Sequence, residues 1–245
     1  MSDPALVPGP TIPGAMNFRD VGGLAAGSGR TRSGVLFRSG NLARLDDDGR
    51  AALAGLGLRR IIDLRDDDEV RTAPSLTEHL PAETLRVPLF LGSVASFFEE
   101  DVSLDELYRR ILDDSAAAVA EAVRGIVTDQ PVLVHCTVGK DRTGVTVALT
   151  LAAAGVDEDA VIADYARTET MLPARRNREI VAWLRSRHPE SRHAEDLATR
   201  SPAPVMRAAL ARLAADFGSP ADYLRAHGIT DAEIVELRRI LVASD

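Results

Sequence analysis

The sequence predicts an α/β domain: a small, mostly parallel central sheet flanked by helices, with a C-terminal half that is helical. Three observations predict it. Short apolar runs of strand type around Val35, Ile61 and Val132 alternate with segments of helical length. After Gly155 every periodic segment has helical length and composition. Hydrophobic residues make up 45% of the 245, enough for a core that needs no covalent staples.

Taken in order, Met1–Gly14 is Pro-rich and reads as a flexible tail, ahead of one domain over 15–245. It carries neither a basic n-region nor an apolar h-region, so it does not read as a signal peptide. No apolar run approaches membrane-span length, so no stable membrane insertion and a cytoplasmic location are expected. In Asn17-Phe18-Arg19-Asp20-Val21-Gly22-Gly23 the glycine pair marks a turn, and Arg19 and Asp20 read as a structural buttress. Val35–Gly40 reads as a strand ending in a turn, and Asp46–Gly55 as an Asp-capped helix. Arg59–Arg65 is a second strand. It carries Asp63 and Arg65 at its C-terminal end, where open parallel sheets hold their ligands.

Asp66-Asp67-Asp68-Glu69 reads as the solvated acidic start of a short helix. Thr84–Pro88 is a third strand. The stretch 89–105 is irregular and acidic with Phe97 and Phe98 adjacent; it fits a lid over a site and equally a surface helix anchored by its aromatics. Leu104–Val127 reads as helical with a break near Asp113–Ser115. Beyond Gly155, helices are expected over Asp157–Arg167, Leu172–Arg187, Pro202–Phe217, Pro220–His227 and Thr230–Val242; Thr230-x-x-Glu233 forms a capping box.

One stretch organises the chain: His135-Cys136-Thr137-Val138-Gly139-Lys140-Asp141-Arg142-Thr143-Gly144, between the Pro131–Val134 strand and an apolar helix. Such a loop gathers backbone N–H groups at one point, with the positive end of the helix dipole behind them. That makes it an anion site. Gly139 lets the loop turn tightly. Arg142 adds a planar fork that matches two phosphate oxygens. Cys136, the one cysteine, stands at the mouth of this cup, where positive surroundings favour a thiolate aimed at phosphorus. Lys140 is the one lysine of the chain, every other basic residue being Arg; a compact ammonium is wanted there.

This loop resembles the signature of the cysteine-dependent phosphatases, the protein-tyrosine phosphatase superfamily, and its fuller form is similar to the bacterial PtpB-type members. The Asn17–Gly23 segment resembles them too. The resemblance implies a phosphatase fold and a phosphocysteine intermediate. Cys136 would be the nucleophile. Thr137, Val138, Gly139, Lys140, Asp141 and Arg142 would hold the phosphate, with His135 and Thr143 in support. The leaving oxygen needs a general acid. Asp141 is favoured because the PtpB-type loop carries Asp there; Asp63 comes second, then Asp101 or Asp105 on the lid-like stretch.

Phosphotyrosine proteins are the expected substrates, with phosphoserine and phosphothreonine proteins as an extension. A phosphoinositide phosphatase is the alternative, supported by Lys140, and a non-catalytic phospho-binding module the second alternative. A rhodanese-type sulfurtransferase is set aside because five residues separate Cys136 from Arg142, one more than in its loop. A net charge of −8 argues against nucleic acid as partner. The five histidines show no metal-ligand spacing, so neither metal nor cofactor is expected. The oligomeric state is left open.

Overall fold

A computed structural model of the protein describes residues 11–89 and 99–243. The central part of the lid-like stretch therefore lies outside the described residues. The main sheet has five strands: β1 (Arg19–Asp20), β4 (Leu36–Ser39), β7 (Val132–His135), β5 (Arg60–Asp63) and β6 (Glu83–Arg86), in the order β1-β4-β7-β5-β6. All neighbours are parallel except β1, which joins the edge antiparallel to β4. The three strand regions read from sequence are β4, β5 and β6, and the strand before the Cys136 loop takes the centre.

The apolar runs are unbroken because the sheet is covered on both faces. Successive residues of a strand point to opposite sides. Leu36, Ile62, Val132 and Val134 enter one core cluster; Phe37, Ile61 and Leu133 enter a second. The second also holds Phe18, Leu42, Leu53 and Leu58, several from the helix α1 (Asp47–Ala54) or beside it. Ile12 is buried in it, so the N-terminal stretch is packed from Ile12 onward and not loose as far as Gly14.

On the other face lie α3 (Leu104–Asp114), α4 (Ala116–Thr128), α5 (Asp141–Ala153), α6 (Glu158–Met171), α9 (Ala203–Phe217), α10 (Pro220–Ala226) and α11 (Asp231–Leu241). Helix α5 follows the Cys136 loop and touches α3, α4, α6, α10 and α11, so every residue from Arg142 to Leu151 is buried. A helix surrounded in this way is apolar over most of its length, and the polar residues it buries are Arg142 in its first turn and the threonines Thr143, Thr146 and Thr150. The expected capping box at Thr230 and Glu233 is formed.

Two features were not legible in the sequence. A small antiparallel sheet joins β2 (Ala25–Ala26), β3 (Gly29–Thr31) and β8 (Val242–Ala243), so the region after Gly155 is not wholly helical. Two- and three-residue strands show no alternation to read. The polar stretch after His188 contains a further helix, α8 (Ala194–Thr199), paired with α7 (Ala174–Arg187) over a small cluster of Leu184, Ala194 and Ala198. Among the described residues no helix is long and apolar enough to cross a membrane.

Candidate active site

The parallel register lines up three strand ends. Ser39 and Asp63 both pair with His135, so the chain leaves β7 at the C-terminal edge of the sheet with β4 and β5 ending beside it. Residues 136–140 turn here and α5 begins at Asp141.

The turn is held by its carbonyls. The Thr137 carbonyl accepts from Asn41 N at 3.1 Å and from Asn41 Nδ2 at 3.2 Å. Gly139 O accepts from Asn17 Nδ2 at 2.8 Å and Arg38 Nη2 at 3.1 Å. In a trans peptide the carbonyl and the next N–H point in opposite directions. Carbonyls tied to the scaffold therefore turn the following amides, of Val138 and Lys140, toward the other side. Gly139 N itself donates to Cys136 Sγ at 3.3 Å. Gly139 has φ +74°, and a Cβ there would lie 2.3 Å from the Ser39 carbonyl oxygen. No other residue fits.

Behind the Gly139 contact lies a buried ionic cluster. Arg19 Nε donates to Asp164 Oδ1 at 2.7 Å, and Arg38 Nη1 to Asp164 Oδ2 at 2.8 Å. Arg19 also reaches Thr168 Oγ1 and Asn17 Oδ1, so Asn17 is fixed while its amide holds the loop. Burial pushes Asp164 up, but its two arginines outweigh this and hold it below the usual carboxylate range. Arg19 is pulled down to about 10, by burial first and then by Arg38. Arg19 is thus the buttress its segment suggested. Asp20 instead accepts from Gly22 N and Gly34 N, fixing the turns beside β1.

At the mouth of the loop the acidic start of α2 (Asp67–Thr72) overturns its reading as a solvated helix end. Glu69 closes a capping box with Asp66, which brings its carboxylate toward the sheet edge. There it takes Arg142 Nη1 at 2.6 Å and Nη2 at 2.7 Å, and it also accepts from the Thr137 hydroxyl. Burial raises Glu69, but Arg142 prevails and holds it below its ordinary value. The reverse holds for Arg142: burial pulls it down, and Glu69 more than restores it.

Asp63, a candidate acid, has both oxygens taken by Arg65: Nε to Oδ1 at 2.9 Å and Nη2 to Oδ2 at 2.7 Å. Burial opposes its charge, yet Arg65 keeps it below the usual range. His135 is fully buried with Nε2 3.7 Å from Asp63 Oδ2. Its pKa is lowered to about 4, chiefly by burial, so the ring is neutral at neutral pH. The Thr143 hydroxyl, of a residue expected to support the loop, is buried and has no hydrogen-bond partner among the described residues. Asp101 is spent elsewhere. It accepts from Arg192 N, His193 N and Ser191 Oγ, and fastens the stretch before α3 to the α7–α8 pair. Asp105 lies in the first turn of α3.

Asp141 opens α5. Its Oδ1 receives Lys140 Nζ at 2.6 Å and Tyr108 Oη at 3.0 Å. Lys140 also donates to the Arg200 carbonyl at 2.9 Å, and at 1% exposure its ammonium is buried. Within the described residues no three His, Cys, Asp or Glu side chains converge on a point that could hold a metal.

A cysteine whose sulfur meets an inward amide, with a braced arginine beyond it, invites comparison with known proteins. Residues 10–243 match the tyrosine phosphatase family. The chain belongs to that family. It is 33% identical to the triple specificity protein phosphatase PtpB of Mycobacterium tuberculosis, over 94% of this chain and 98% of that one. It is 31% identical to a tyrosine-protein phosphatase of Nostoc commune, over 83% of this chain and 73% of that one. The structure of P. aeruginosa TpbA aligns with a TM-score of 0.38 at 19% identity, covering 75% of this chain and 91% of that one. The phosphatase family, the PtpB-type resemblance and the α/β fold with a mostly parallel sheet stand as expected.

Sequence reasoning missed Arg38, Asn41, Glu69, Tyr108 and Asp164, and gave Asn17 no separate role. Glu69 left one trace, its place three residues after Asp66 in a capping box. Asn17 lay in the segment already noted. Arg38, Tyr108 and Asp164 carry no local signal.

Proposed function

We propose that this phosphatase hydrolyses phosphate monoesters on proteins, phosphotyrosine first, through a phosphocysteine formed on Cys136. The observation that carries this is the loop itself. Its carbonyls are tied back by Asn17, Arg38 and Asn41, and an amide meets the Cys136 sulfur. Preorganised N–H groups stabilise the charge that gathers on the equatorial oxygens without reorganising during the reaction. The Cys136 sulfur attacks phosphorus, the S–P bond forms and the bond to the leaving oxygen breaks. Arg142 gathers two phosphate oxygens, and Glu69 fixes the plane of its guanidinium. Water then cleaves the S–P bond.

In this reading Asp141 supplies the proton to the leaving oxygen. Asp63 is engaged by Arg65 through both oxygens and is held ionised, which suits a brace and not an acid. Lys140 carries the phosphoinositide alternative, yet its ammonium is buried against Asp141 and the Arg200 carbonyl. We therefore favour protein substrates and read Lys140 as shaping the loop. Lys140→Met is expected to lower turnover of phosphotyrosine peptide and phosphoinositide by similar factors. A loss confined to the lipid would reverse that preference.

The decisive experiment uses the single thiol. Iodoacetate should label one site and abolish turnover, with inorganic phosphate protecting; full activity after complete labelling would refute the mechanism. Asp141→Asn should cost little with nitrophenyl phosphate, whose oxygen leaves nearly unaided. With phenyl phosphate it should cost ~100-fold or more.

A further inference from the structure

We infer that Tyr108, backed by Tyr165, is a positioning residue that fixes which oxygen of Asp141 delivers the proton. This rests on the reading of Asp141 as the acid. Tyr108 comes from the middle of α3 and Tyr165 from the middle of α6; both are 1% exposed. Their rings meet edge to face with centroids 6.0 Å apart, and their hydroxyls are 2.7 Å apart. Tyr108 Oη lies 3.0 Å from Asp141 Oδ1.

A phenol has one proton to donate. The Tyr108 proton goes to the carboxyl oxygen, so the Tyr165 hydroxyl donates to Tyr108 and the chain has one direction. Burial holds both phenols protonated well beyond neutral pH. Lys140 Nζ lands on the same Oδ1 at 2.6 Å. Two donors therefore occupy Oδ1, and Oδ2 has no hydrogen-bond partner among the described residues. An acid proton cannot sit on an oxygen already facing two donors, so it sits on Oδ2. When the bond from phosphorus to the leaving oxygen breaks, that proton passes from Oδ2 to the departing oxygen. The carboxylate left behind is met on Oδ1 by the ammonium and the phenol. In the second step water attacks phosphorus, gives its proton back to Oδ2, and the S–P bond breaks.

A buried tyrosine also needs a partner for its hydroxyl whatever the site does. The two roles separate by leaving group. Tyr108→Phe keeps the ring and its packing and removes the donor. It should lower kcat/KM for phenyl phosphate by ~10-fold and leave nitrophenyl phosphate within ~2-fold, the loss of one hydrogen bond to a charged group. Introduced on top of Asp141→Asn, it should lower phenyl phosphate turnover no further, because the proton it positions is gone. Tyr165→Phe should show the same pattern more weakly. An equal loss on both substrates, or losses that multiply in the double variant, overturns the proposal, and thermal midpoints near that of the parent certify the fold. A leaving-group effect in Asp141→Asn but not in Tyr108→Phe rejects the positioning role alone. If Asp141→Asn shows no such effect, the acid is misassigned and the positioning role falls with it.

Discussion

Two ionic clusters hold the Cys136 loop, and they are built differently. Arg19, Arg38 and Asp164 have side chains 1–3% exposed, and both Asp164 oxygens are consumed within the cluster. Arg142 and Glu69 are 7% and 14% exposed, at the mouth of the loop. The first grips a backbone carbonyl and has no route to a ligand. The second holds a guanidinium beside the loop, where the proposed mechanism would bring the phosphate. Arginine serves both because its planar fork pairs two oxygens at once, but burial decides which use it is put to. Under the proposed mechanism one pair is scaffold and the other machinery, although both are arginine–carboxylate pairs of similar length.

The sharpest way to break this contrast is Asp164→Ala. It leaves two guanidiniums buried without their shared counter-charge, and breaking a buried pair in this way costs about 3–5 kcal/mol. Urea unfolding should show that loss. If the fold tolerated the change at little cost, the scaffold assignment of this cluster would be wrong.

His135 sharpens the comparison from between the clusters. Its folded pKa of about 4 lies below the ordinary 6.5. In that window the unfolded chain binds a proton that the folded chain does not, so stability rises with pH. The contribution is complete above about pH 6.5 and is lost as pH falls toward 4. The span corresponds to about 3 kcal/mol. Asp63, Glu69 and Asp164, all lowered, contribute above the carboxylate range and lose their contribution at lower pH still. Unfolding measured from pH 7 down to 4 should therefore slope in the parent, and the slope should flatten in His135→Asn.

The smallest effect on stability is expected at Glu69. Glu69→Gln keeps a hydrogen bond to Arg142 and leaves the helix cap in place, so stability should fall by about 1 kcal/mol, as for a partly exposed charged hydrogen bond. Turnover should fall more, by ~10-fold, since a poorly oriented guanidinium misplaces the phosphate. A stability loss as large as that of Asp164→Ala, with turnover per folded molecule unchanged, would merge the two clusters into one kind.

What the sequence determined by itself was local. The ten residues from His135 to Gly144 lie between a strand and a helix, and both were readable from spacing over a few residues. So was the cap in which Thr230 meets Glu233 within one helical turn, whereas Asp66 and Glu69 have the same spacing but were read only as a solvated helix start. Tertiary structure decided the partners. Arg38 and Asp164 are 126 residues apart, Asn17 and Gly139 122, and Arg142 and Glu69 73. The register of β4, β7 and β5 sets where those strands end, and the packing of α3 and α6 over α5 sets which side chains face the loop. Asp63 shows the limit: its place at a strand end was legible, but whether its carboxylate faced a ligand or Arg65 was not. Periodicity reports which face of an element is buried, whereas an ion pair depends on where two elements cross, and no spacing within either element encodes that crossing.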